Sequence, residues 1–156
     1  MINSMKNKAF SFVELIVIVS ILSILAFIAV PRFNYALISK HKAETTARKI
    51  VTDLRLTRRL AISEAANNTK GFELKMVGSV PYKSYEIENV DTKATIALNT
   101  IDSDVTLGNP TGTRFIFGPL GNLENGSGTQ MIVSTEGRSF TITINSATGS
   151  IKCFEN

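Results

Sequence analysis

The chain has 156 residues, with 17 Lys and Arg against 13 Asp and Glu, one His and one Cys. A lone cysteine excludes an internal disulfide framework, and one His beside one Cys supplies neither a zinc site nor a Cys/His nucleophile pair. The formal charge of +4 is uneven: Lys40 to Arg59 hold seven bases against Glu44 and Asp53, whereas residues 60–156 hold seven bases against ten acids.

Residues 1–9 form a short basic leader containing Lys6 and Lys8 and no acid. From Phe10 to Val30 follow twenty-one residues in which Glu14 is the only charge. As a helix this segment spans roughly 31 Å, about one hydrocarbon core, so residues 10–31 are expected to cross a membrane. A carboxylate inside such a segment costs on the order of 3 kcal/mol on insertion scales and ordinarily has a partner and a task. Other readings compete. A secretory signal peptide has a shorter apolar core ending in a small-x-small site, which Ala26 and Ala29 do not form. An ordinary anchor fits the length but gives Glu14 no role, and a buried soluble helix needs no such uninterrupted apolar run. Lys6 and Lys8 place the leader in the cytoplasm; more bases lie on the far flank, but the short leader and large translocated domain favour the C-terminal part outside.

Pro31 removes a backbone donor and predicts a kink. Beyond it Ala36, Ala43, Ala47, Ile50, Leu54, Ala61 and Ala65 recur at helical spacing, with Arg48, Arg55 and Arg59 set off that stripe. Residues 32–68 therefore read as the amphipathic half of one long helix running from about Phe12 to Ala66, with Asn67, Asn68 and Gly71 as its stop. After Gly71 the period falls to two, with Phe72, Leu74 and Met76 alternating with Glu73, Lys75 and Val77. Further strands are expected at Tyr85–Val90, Thr95–Leu98, Arg114–Phe117, Met131–Ser134, Phe140–Ile144 and Ser150–Cys153, with turns at 108–112, 118–122 and 125–128. Residues 69–156 thus form a β-sheet domain, and the whole reads as α+β: a long N-terminal helix packed by its second half on an antiparallel sheet.

The run Ala9-Phe-Ser-Phe-Val-Glu14-Leu, its apolar continuation and Pro31 resemble the N-terminus of type IV pilins and type II secretion pseudopilins. The stretch from Asp53 to Ala65 and the closing segment from Glu136 to Ile151 resemble more specifically the H-type minor pseudopilins and their relatives among minor type IV pilins. The resemblance implies cleavage by a prepilin peptidase between Ala9 and Phe10 and N-methylation of Phe10. The family usually has Gly before the cut, where this chain has Ala9. It also implies a single-pass inner-membrane subunit whose periplasmic domain joins a filament of other pseudopilins or minor pilins on an inner-membrane assembly platform. There Glu14 would pair with the Phe10 amine of a neighbouring subunit, offsetting both charges in low dielectric and setting axial register. The expected function is that of a structural subunit of a type II secretion pseudopilus; the alternative is a minor pilin priming pilus assembly or DNA uptake. A plain anchored binding domain is a third reading.

Nothing else in the chain argues for an enzyme, a metal or a cofactor. The acids at 86–91 and 102–104 lack calcium-loop spacing, and no phosphate-cradling glycine loop follows a strand. His41, between Lys40 and Lys42, reads as a solvated face residue, and Cys153 as a small buried residue of the last strand. Arg48, Arg55, Arg58 and Arg59 could supply phosphate contacts to DNA, but such arginines are more often solvent-facing or paired with acids. The Gly- and Asn-rich stretch 118–130 suits a mobile surface loop.

Overall fold

The computed structural model describes residues 11–29, 35–108 and 111–156. It is α+β, with two helices and two antiparallel sheets: α1 (Phe12–Ala29), α2 (Tyr35–Ser63), then β1 (Phe72–Val77), β2 (Ser84–Asn89), β3 (Thr95–Thr100), β4 (Thr106–Gly108), β5 (Arg114–Phe117), β6 (Gln130–Thr135), β7 (Arg138–Ile144) and β8 (Ile151–Glu155). The chain divides into two units, Met1–Tyr35 and Ala36–Asn156. The expected kink at Pro31 lies outside the described residues.

α2 forms because no Gly or Pro interrupts residues 35–63 and because its apolar positions fall on one face. Ala43, Ala47, Ile50, Val51, Leu54, Thr57 and Ala61 are buried, Ala65 only partly so. Thr57, an unexpected member of this row, is tolerated because its hydroxyl donates to the Asp53 carbonyl at 2.7 Å. The helix ends at Ser63, three residues before the expected Ala66, and turns continue to Asn67. Asn68 then closes the corner. Its buried side chain accepts from the backbone N–H of Lys70 and Gly71 and donates to the Gly71 carbonyl and to Asn89. Gly71 adopts φ +76°, and a Cβ there would overlap the Phe117 carbonyl oxygen, so both backbone and space require glycine.

The strands form two four-stranded sheets, in the orders β3-β2-β1-β5 and β4-β6-β7-β8, where one sheet was expected. The chain makes the β1-β2-β3 meander, crosses for β4, returns for β5 beside β1, and finishes with the β6-β7-β8 meander. β4 was not expected, since three residues next to a turn carry too little alternation to read. β8 runs to Glu155 rather than stopping at Cys153. One core joins α2 to both sheets, with Phe72, Leu74, Phe115 and Phe117 from the first and Met131, Val133, Phe140 and Ile142 from the second.

Polar ties fix α2 across the two sheets. Tyr85 on β2 donates to the Asp53 carboxylate at 2.6 Å, and Asn99 on β3 donates to the same oxygen at 3.2 Å. Burial, and then the hydrogen bond to Asp53 with its charge, hold the Tyr85 phenol far above the ordinary tyrosine range. Arg138 on β7 bridges Glu44 of α2 and Glu155 of β8, and Lys42 reaches Asp102 and Asp104. Arg58 donates to the Gly121 carbonyl at 2.9 Å. The stretch 118–130 is pinned along its length, with Glu124 and Gly128 donating to Ile116 and Arg114 and Leu123 buried. Leu120, at its tip, stands 88% exposed.

One strand departs from simple alternation. Glu73, expected on the solvent side of β1, is fully buried and directly opposite Glu88. Arg114, on the next strand, grips it through two bonds of 2.5 and 2.7 Å, while Lys75 and Lys93 neutralise Glu88. These cations offset the repulsion that like charges suffer when paired across strands.

Candidate functional site: an apolar helix with one carboxylate

α1 is apolar on every side. Every side chain from Ser11 to Ile28 is exposed, with Phe12 at 75% and Phe27 at 84%. Its two serines do not break that character, because Ser20 and Ser23 donate to the Ile16 and Val19 carbonyls, each at 2.8 Å. Their hydroxyls are thus satisfied within the helix and need no water. The helix opens at Ser11, whose carbonyl accepts from Leu15 N–H at 3.1 Å. Glu14 sits in the first turn, where a negative charge suits the positive end of the helix dipole. Among the described residues its carboxylate has no hydrogen-bond or ion-pair partner.

An exposed apolar surface of this extent far exceeds the patch that a soluble monomer ordinarily carries. Among the described residues no helix is long and apolar enough to cross a membrane. α1 as described has 18 residues, about 27 Å long against a hydrocarbon core of about 30 Å. Ala9 and Phe10, the expected cleavage junction and methylation site, lie outside the described residues, as does Pro31. Of the four site residues read from the sequence, the structure therefore describes Glu14.

The basic face of α2 is the second charged feature. Arg48, Lys49, Arg55 and Arg59 are exposed. Arg48 is paired with Glu44 at 2.9 Å, and Arg58 is committed to Gly121, so two of the four arginines considered for phosphate contacts already serve the fold. Lys49, Arg55 and Arg59 have no acidic partner among the described residues. His41 is exposed on the same helix.

Cys153 is exposed on β8, not buried as expected, because β8 is the last strand of its sheet and its outer side is uncovered. The partial cover that remains pushes its thiol up from the ordinary range, with Arg48 pulling weakly the other way. Among the described residues no group of three His, Cys, Asp or Glu could hold a metal ion. The Glu73–Arg114 clasp and the Glu44–Arg138–Glu155 bridge escaped sequence reading, because their bonds join residues 17 to 94 positions apart and are visible only once strands are paired.

No family model matches this chain, and no curated protein and no solved structure matches it.

Proposed function

We propose that this chain is a minor pseudopilin, a structural subunit of the periplasmic filament of a type II protein secretion system. The observation that carries the reading is α1: an apolar helix, exposed from Phe12 to Ile28, with one carboxylate in its first turn. The second unit has its own core and ion-pair ties, so α1 is not required to complete it. In this reading residues 10–31 form the membrane half of the N-terminal helix, and α2 belongs to its amphipathic half. A prepilin peptidase removes residues 1–9 and Phe10 is methylated. Glu14 then pairs with the amine of a neighbouring Phe10, which matches charge in low dielectric and penalises any subunit out of axial step. The subunit waits in the inner membrane with its C-terminal domain in the periplasm and enters the filament from an assembly platform.

The test compares the culture medium of a deletion strain with that of its parent and of a complemented strain. Loss of specific exoproteins that instead collect in the periplasm supports the secretion reading. An unchanged set of secreted proteins contradicts it and favours a minor pilin of a type IV pilus.

A further inference from the structure

β8 leaves a sheet edge open beside a groove. Asn145 N–H donates to the Ser150 carbonyl at 2.9 Å, and Asn156 N–H donates to Ser139 at 3.0 Å. Bonded pairs in an antiparallel ladder recur every second residue, so Lys152 and Phe154 bond β7 while the N–H and C=O of Ile151, Cys153 and Glu155 point outward. None of these outward groups has a partner among the described residues. The other edges differ. A backbone bond from Tyr82 lies against β4 and the 124–128 segment against β5, while β3 is open but its own residues carry no charge.

Between this edge and α2 lie two adjoining hollows of about 260 and 270 Å³, which share Arg48 and Cys153. Val51, Thr52 and Arg55 line one, and Glu44, Phe140 and Glu155 line the other. A strand laid on β8 would continue the row formed by Ile142 and Cys153, so its inward side chains would sit against Arg55, with Arg48 already met by Glu44 and Glu155 by Arg138. On the opposite face its other, alternate side chains would meet Lys152 and Phe154, the latter 52% exposed.

We infer that the β8 edge is a docking site for an extended, acidic segment of another protein, added as a ninth strand with its carboxylates on the inner face towards Arg55 and apolar side chains on the outer face towards Phe154. Main-chain bonds supply the attachment and the basic side chain on the inner face selects the sequence. A second copy of this chain is a poorer occupant, because its β8 offers a single acid, Glu155, and Arg138 already holds it. The inference stands on the second unit alone and does not depend on the role of α1.

Fluorescence anisotropy of a labelled, end-capped peptide alternating valine and aspartate, titrated with the full chain, tests it. Binding is expected. It should weaken roughly tenfold or more in Arg55→Glu, where attraction becomes repulsion. Cys153→Pro should abolish it while leaving the fold intact, because the lost N–H is one that the sheet does not use. Two peptides N-methylated on one or the other alternating set should part company, since only one set faces β8. If Cys153→Pro fails to fold by circular dichroism, the methylated pair and Arg55→Glu still decide. Failure of the acidic peptide to bind, equal binding by both methylated peptides, or equal binding by a lysine-for-aspartate peptide would overturn the inference. So would binding of a short DNA duplex where the acidic peptide does not bind.

Discussion

Two side chains decide how the first sheet tolerates its charges. Glu73 is buried and Arg114 is its only cation within bonding reach among the described residues, so Arg114→Ala leaves a carboxylate stranded. The expected loss is about 2–3 kcal/mol in urea unfolding, below the ~3–5 of a wholly buried pair because Arg114 itself is partly exposed. Replacing both residues with leucine should recover most of that loss, since an apolar pair asks for no solvation. Gly71→Ala is expected to cost about 2 kcal/mol or more, because it meets both a positive φ and the Phe117 carbonyl. Gly71 was legible as a stop signal after a helical run. Glu73 was not, because polar residues at alternate positions read as solvent-facing until the pairing partner is known.

α2 is the element on which both sheets depend. Leu54, wholly buried at its centre, is expected to cost about 2–5 kcal/mol as Leu54→Ala. Acid should loosen the same helix. Hydrogen bonding from Arg48, Arg138 and Lys42 holds Glu44, Glu155 and Asp104 respectively below the usual carboxylate range. A carboxylate whose folded pKa is depressed stabilises the fold fully above its unfolded value and loses that contribution as pH falls through the folded one. The thermal midpoint should therefore drop below about pH 4, and Glu44→Gln with Glu155→Gln should flatten that part of the profile. Most of this helix could be read from spacing, since five alanines and aliphatics of the expected stripe are buried. Seven of the eight strands were likewise legible, but their division into two sheets was not. That division depends on β4, too short to show a period, and on the return of β5 to β1.

At the scale of the whole molecule, the proposal separates folding from assembly. Glu14→Ala removes a charge from α1 and leaves every residue of the second unit unchanged, so membrane insertion and domain stability should persist while incorporation into filaments fails. Glu14→Asp should restore it in part, because the charge returns with a shorter reach. Leader removal and methylation are read together from the intact mass of the protein recovered from membranes of a strain with a prepilin peptidase. The expected mass is that of a chain beginning at Phe10 and carrying one added methyl group. A chain that retains residues 1–9, or one cut within the apolar segment, would contradict it.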